Sequence, residues 1–189
     1  MTTVLFVIAV VVGMIVAEAR VSRRNEGRLL EAGGRIPPGD VYQWLATSYP
    51  VAILLMGAEG VWRSTGTGAG IDVPGVFGLE FEPSWFASGL LLFGASKALK
   101  YWAIWALGER WTFRVVVLPG VPLVTRGPYR YVAHPNYVAV IGELAGTAMM
   151  VGALMTGPVM LAVVGAAIRA RVRFEGGQIR RAAGFDRSS

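Results

Sequence analysis

The chain contains no cysteine, a single histidine and only two lysines among its 189 residues. The absence of cysteine excludes disulfides, thiolate nucleophiles and cysteine-based metal sites. A single histidine also excludes a zinc site built from several histidines, so we predict no metal site. Charged residues are scarce too, at 16% of the chain, which argues against an ordinary soluble domain.

Long apolar runs dominate what remains. The chain is 54% hydrophobic and its mean hydropathy is +0.52. This composition predicts an all-α integral membrane protein, with one domain over residues 1–189 and about five transmembrane helices. The predicted spans cover residues 2–18, 42–59, 85–107, 137–154 and 158–170. Between the first two spans, residues 20–40 are predicted to form a polar loop. Within it, Ser22–Gly33 can form a short surface helix that ends at Gly33-Gly34 and Pro37-Pro38.

The net charge of +6 comes almost entirely from arginine. A basic chain can bind nucleic acid, but arginines that flank membrane helices are expected on the cytoplasmic side of the membrane. We therefore predict no nucleic-acid partner. The arginine-rich segments are residues 20–40, residues 108–136 and the C-terminal tail. Their distribution places these segments in the cytoplasm and the N-terminus outside.

One polar stretch, Val121–Glu143, lies between two strongly apolar runs and reads VPLVTRGPYRYVAHPNYVAVIGE. The pair Gly127-Pro128 predicts a turn. Pro135 is predicted to occupy the first turn of a helix, with His134 just outside it. The free backbone N–H groups of that helix are expected to face the loop arginines and to favour an anion such as a carboxylate. Those arginines are Arg126 and Arg130.

The run LVTRGPYRYVAHPNY resembles the isoprenylcysteine carboxyl methyltransferase family. Members are integral membrane enzymes that use S-adenosyl-L-methionine (SAM). The resemblance extends over Leu107–Gly120 and, more weakly, over the C-terminal segment. It implies a SAM-dependent carboxyl-O- or hydroxyl-O-methyltransferase with a cofactor site that faces the cytoplasm. The run Arg110–Gly120 is most similar to bacterial members, which implies a bacterial inner or plasma membrane.

The resemblance also implies which residues bind the cofactor. An apolar strip suits adenine, and a tyrosine face suits the cationic sulfur. The alternative roles are membrane-interface anchoring for the tyrosines and helix capping for the histidine. The implied cofactor residues are Val121, Pro122, Leu123, Val124, Tyr129, His134, Pro135, Asn136, Tyr137 and Glu175.

Two charged residues after the last span resemble the family's pattern of an arginine followed four residues later by a glutamate. They are Arg171 and Glu175, which share one face of a helix. The resemblance gives Arg171 a catalytic role at the acceptor and Glu175 a role at the cofactor; the alternative is an exposed salt bridge. Gly176 and Gly177 follow, where the family usually has a second glutamate.

Charges also occur inside the predicted spans, where they are costly and usually face a cavity or a partner. Glu143 is the candidate for a catalytic base or orienting group on the acceptor side, with an ion pair to Lys97 or to an arginine as the alternative. Lys97 is expected to snorkel to the cytoplasmic face. Gly142 and Gly146 are predicted to pack against another helix.

The sequence thus predicts a membrane-embedded SAM-dependent methyltransferase that acts on a lipophilic acceptor. The acceptor is an isoprenylcysteine-type carboxylate, a lipid or polyketide hydroxyl, or a phospholipid amine. The predicted partners are a lipophilic small-molecule or prenylated substrate and membrane lipid. A non-enzymatic small transporter or assembly protein is the alternative, but it leaves the clustered Tyr, His-Pro and Arg residues of the motif unexplained.

Overall fold

A computed structural model describes residues 1–39, 42–65, 83–122 and 124–182 of the chain. These residues form five α-helices: α1 (Thr2–Glu31), α2 (Tyr42–Ser64), α3 (Pro83–Leu107), α4 (Pro135–Val151) and α5 (Thr156–Ala182). In this described part, β pairing is limited to one isolated bridge between Arg35 and Val117. The prediction of an all-α fold is therefore confirmed for these residues.

The five helices coincide in position with the five predicted spans. Helices α1 and α2 are long and apolar enough to cross a membrane by length and composition. Among the others, α3 carries two lysines, α4 has 17 residues, and α5 combines an apolar first half with an arginine-rich second half.

Helix α1 is longer than expected, because it continues to Glu31 as one helix where a polar loop with a separate short helix was predicted. The polar side chains of this extension have partners in the segment after α3. The Ser22 hydroxyl accepts a hydrogen bond from the Phe113 amide at 2.7 Å, and the Asn25 amide donates to the Trp111 carbonyl at 2.9 Å. These tertiary contacts let a polar sequence remain helical. The chain then turns at Gly33, where φ is +88°.

Helix α4 packs against α3 at very short range. A Cβ atom added to Gly146 would lie 2.7 Å from the carbonyl oxygen of Gly89, and one added to Gly142 would lie 2.1 Å from the Ser96 hydroxyl. Only glycine allows this approach, so the prediction that these two glycines pack helices is confirmed.

A tight hairpin joins α4 to α5, and α2 holds it in place. Gly152 ends α4 in the left-handed region, with φ at +69°. The buried Glu59 of α2 then accepts hydrogen bonds from the backbone amides of Met155 and Thr156, at 3.0 and 2.7 Å. A carboxylate is favourable at a helix N-terminus, where N–H groups lack partners. The contact anchors the start of α5 against α2.

Candidate functional site

The polar motif is a short loop that docks on the end of α3 and then starts α4. A 3₁₀ turn covers Gly127–Arg130, and α4 begins at Pro135 with His134 as its N-cap, so the predicted turn and helix start are confirmed. Gly127 has φ at +63°, and a Cβ there would lie 2.8 Å from that of Ala106. This close approach requires glycine.

One of the two loop arginines contacts the end of α3. Arg126 donates from Nε to the Ala106 carbonyl at 3.1 Å, where it satisfies the C-terminal end of α3. Arg130 is exposed. The anion site expected at the α4 N-terminus stays a prediction.

The opposing helix α5 supplies the charges near this point instead. Arg171, Tyr137 and Glu175 form a hydrogen-bonded group that we call the Arg171 triad. Arg171 Nε donates to the Tyr137 hydroxyl at 2.7 Å and to Glu175 Oε1 at 3.1 Å, and the Tyr137 hydroxyl donates to the same carboxylate oxygen at 2.5 Å. Helix α5 runs on through Gly176 and Gly177 to Ala182, so these glycines do not end it after Glu175.

Surrounding groups fix the Arg171 triad in place. The Arg171 guanidinium is buried, donates to the Phe113 carbonyl, and lies 5.8 Å from the centre of the Tyr42 ring. On the other side, the His134 ring stacks on Tyr137 with 5.5 Å between centroids. Its Nδ1 lies 3.6 Å from Glu175 Oε2. Groups held this firmly are suited to orient a ligand.

Tyr129, in the motif loop, is affected by the charge of Glu175 in the Arg171 triad. Burial and the nearby negative charge of Glu175 raise the pKa of Tyr129 to about 12. A phenol in such surroundings keeps its proton at physiological pH. Tyr129 is therefore a neutral group beside the carboxylate.

The Arg171 triad opens into a large cavity of about 1480 Å³ between α1, α2, α4, α5 and the segment after α3. One part of its wall is charged and polar, and another part is apolar. The charged end holds the Arg171 triad and Asn136, whereas the far end is lined by Val12, Val16 and Leu54. Those three apolar side chains are also exposed.

The cavity brings together most of the residues predicted to bind the cofactor. Its wall includes Val121, Pro122, Val124, Asn136, Tyr137 and Glu175 from that set, together with Arg171, which was predicted to act on the acceptor. Among the described residues, Tyr129, His134 and Pro135 are not part of the wall but lie in or next to the motif loop behind it. Leu123 lies outside the described residues.

Glu143 belongs to a second polar group, in the interior of the bundle. Two lysines bridge two glutamates there, and we call Glu18, Lys97, Lys100 and Glu143 the charged tetrad. Lys97 Nζ lies 2.6 Å from Glu18 and 3.2 Å from Glu143, and Lys100 Nζ lies 2.6 and 3.3 Å from the same carboxylates. All four are at most 5% exposed. The ion-pair alternative for Glu143 thus matches the structure, whereas Lys97 does not snorkel.

Tyr49 of α2 connects the charged tetrad to the cavity. Its hydroxyl donates to Glu143 Oε2 at 2.7 Å. Tyr49, Lys100 and Glu18 line the cavity, whereas Glu143 is fully buried behind them.

Sequence reasoning did not identify Glu18, Lys100 or Tyr49 as members of one site. The first two carried a usable signal, since two acidic and two basic residues in or beside apolar runs balance one another. Tyr49 had no comparable signal, because a tyrosine near the end of a span is ordinary.

Comparison with known proteins defines the class. Residues 88–180 match the sequence model of the isoprenylcysteine carboxyl methyltransferase family, a segment that contains most of α3, the motif loop, α4 and the Arg171 triad. Over these residues, about half of the chain, the protein is similar to that family.

A relative is known in Bacillus subtilis. It is the protein YpbQ, described as uncharacterized, which is 29% identical over 138 residues, or 72% of this chain and 73% of YpbQ. No solved structure matches the chain. The family implies a methyltransferase, and together with the two candidate spans it indicates a membrane protein.

Proposed function

We propose that the protein is a membrane-embedded, SAM-dependent methyltransferase whose acceptor is lipophilic and enters the site from the bilayer. One observation carries the proposal. A single cavity joins the Arg171 triad, which lies in the family-matched segment, to an apolar wall formed by α1 and α2. Ligand pockets commonly measure about 300–1,000 Å³, so a cavity of about 1480 Å³ has room for two reactants.

The residues at the charged end fit the cofactor. Val121 and Val124 offer an apolar surface to adenine, and the Tyr137 ring offers a π face to a cation. The carboxylate of Glu175 suits ribose hydroxyls or an amino group. Asn136 Oδ1 is buried and makes no hydrogen bond within the described part of the chain, so the site contains an unused acceptor.

The cofactor, when bound, supplies an electrophilic methyl group on positively charged sulfur. The residues of the chain contribute orientation and the exclusion of water. Arg171 is held by Phe113 and Tyr137, which keeps its guanidinium in one position at the cavity wall. A fixed, planar cation is suited to align a carboxylate or a developing oxyanion.

The apolar end of the cavity supports a lipophilic acceptor. Val12, Val16 and Leu54 line the cavity and are 36, 43 and 58% exposed. Exposed apolar residues on a membrane protein face lipid tails, so this wall lets an acyl or prenyl chain enter sideways. An isoprenylcysteine-type carboxylate and a lipid or polyketide hydroxyl both satisfy this requirement.

The arginine distribution supports an active site that faces the cytoplasm. Labelling of single cysteines tests this orientation directly, because the chain contains no cysteine of its own. A cysteine at Tyr131, in the motif loop, is expected to react only from the cytoplasmic side, and one at Thr65, after α2, only from outside. The reverse pattern would contradict the orientation.

Methyl transfer from isotope-labelled SAM tests the assignment of residues. The Arg171→Ala variant is expected to lower turnover about tenfold or more, because it removes charge-assisted hydrogen bonds worth about 1.5–3 kcal/mol. The Glu175→Ala variant is expected to weaken SAM binding first. The exposed Arg173 on the same helix provides the control Arg173→Ala. Parental turnover in Arg171→Ala would contradict the role of this side chain.

A further inference from the structure

The charged tetrad is more elaborate than helix packing requires. Buried ion pairs usually contribute little net stability, since the cost of desolvation offsets their attraction, and apolar residues of similar size often pack as well. Ionisable residues inside a membrane domain commonly mark a functional site. Here Glu18 and Lys100 also reach the wall of the proposed acceptor cavity.

The contacts of Tyr49 lead from the cavity to the interior of the helix bundle. Tyr49 lines the cavity, and its hydroxyl donates to Glu143 Oε2 at 2.7 Å. The other oxygen, Glu143 Oε1, is buried and has no hydrogen-bond partner in the described ranges. Tyr49 therefore links the cavity to a carboxylate that the contents of the cavity do not touch.

We propose that Tyr49 and Glu143 form a proton relay that deprotonates the acceptor during methyl transfer. This inference rests on the proposed function. The acceptor oxygen forms its bond to the methyl carbon while the carbon–sulfur bond breaks and leaves its electron pair on sulfur. The acceptor O–H proton passes to the Tyr49 oxygen, and the Tyr49 proton passes to Glu143 Oε2. The products are the methyl ether, the neutral sulfide and a protonated Glu143.

The two lysines attract the negative charge of Glu143 and so oppose its protonation, and they contribute to the transfer through the positive charge that remains afterwards. Before the transfer, Lys97 and Lys100 balance Glu18 and Glu143, so the charged tetrad is neutral. After the transfer, two ammonium groups face one carboxylate, and the net charge is +1. That charge stabilises the negative charge that develops on the acceptor oxygen, and Lys100 provides it at the cavity wall.

The relay specifies the class of acceptor. A carboxylate is already ionised and needs no base, whereas a phenol or enol gains from one. The acceptor is therefore a lipophilic molecule with a weakly acidic hydroxyl, bound with that hydroxyl at Tyr49.

Two synthetic probes test the relay: a long-chain alkylphenol, and the same molecule with an ortho nitro group that keeps it ionised at the assay pH. With the alkylphenol, Tyr49→Phe is expected to lower kcat about a hundredfold or more, with SAM affinity unchanged. With the nitrophenol, Tyr49→Phe and the parent are expected to react at similar rates, because no proton has to be removed. The exposed Tyr131 provides the control Tyr131→Phe.

Equal losses with both probes would show a structural role for Tyr49 and overturn the relay. Methylation of a farnesylated cysteine carboxylate but of neither phenol would also overturn it, while the proposed function would stand. Failure of the parent to bind SAM would instead refute the proposed function.

A second measurement does not depend on turnover. Without SAM, the colour of the bound nitrophenol reports its ionisation as pH is lowered. The parent is expected to keep the probe ionised to a lower pH than Tyr49→Phe does, because the relay takes up the proton. Identical titrations in the two proteins would contradict the proposal.

Discussion

Removing one lysine from the charged tetrad is expected to destabilise the protein strongly, and removing one carboxylate as well is expected to restore much of the stability. In Lys97→Met, Glu18 and Glu143 lose contacts of 2.6 and 3.2 Å and share the single cation of Lys100. Breaking a buried ion pair in this way costs about 3–5 kcal/mol. For a chain of this size, that corresponds to a fall in Tm of about 6–20 °C.

The double variant Lys97→Met with Glu18→Gln separates charge balance from packing. It leaves Lys100 and Glu143 as a neutral pair, so its Tm is expected to be no lower than that of either single variant. The coupling free energy between the two changes is expected to exceed about 2 kcal/mol. Thermal unfolding in detergent, followed by tryptophan fluorescence, gives all four values of the cycle.

An exposed ion pair provides the control for this cycle. The side chains of Arg28 and Glu109 are 48 and 69% exposed, so Arg28→Met is expected to change Tm little. Strict additivity of Lys97→Met and Glu18→Gln would refute the reasoning, because it would mean that the two side chains do not compensate each other's charge.

Three further predictions follow from the packing and the charges. Gly146→Ala is expected to lower Tm by several degrees because its Cβ would meet the α3 backbone, whereas Gly165→Ala, whose nearest neighbour would be 4.0 Å away, should leave Tm unchanged. Glu59→Ala is expected to cost about 2 kcal/mol, since it leaves the amides at the start of α5 unpaired; Glu31→Ala, at the exposed end of α1, is the thermal-unfolding control. Because the pKa of Tyr129 is about 12 in the folded protein and about 10 in an unfolded chain, its contribution to stability is lost as pH rises from 10 through 12. Alkaline unfolding curves of Tyr129→Phe should therefore show a smaller loss over that window, and identical curves would contradict the shift.

The sequence predicts the helices well because their signals are local. Apolar runs of sufficient length define all five, Gly127-Pro128 defines the turn, and Pro135 defines the start of α4. The length of α1 was missed because what keeps its second half helical is remote in sequence. The partners of Ser22 and Asn25 lie more than 80 residues away.

The site was predictable only in part, for the same reason. The spacing of Arg171 and Glu175 places them on one helix face, and the structure joins them through Tyr137. The pairing of Glu143 with two lysines depends instead on how α4 packs against α3. The position of α1 adds Glu18 to the same group. Tyr49 enters the site through the position of α2 alone.

The central claim is that the cavity beside the Arg171 triad binds SAM. Isothermal titration of SAM into the detergent-purified protein tests it most directly, with Glu175→Ala and Arg173→Ala in parallel. The account predicts saturable binding to the parent and to Arg173→Ala, and affinity about tenfold or more weaker in Glu175→Ala. No binding to the parent, or equal affinity in all three proteins, would contradict it.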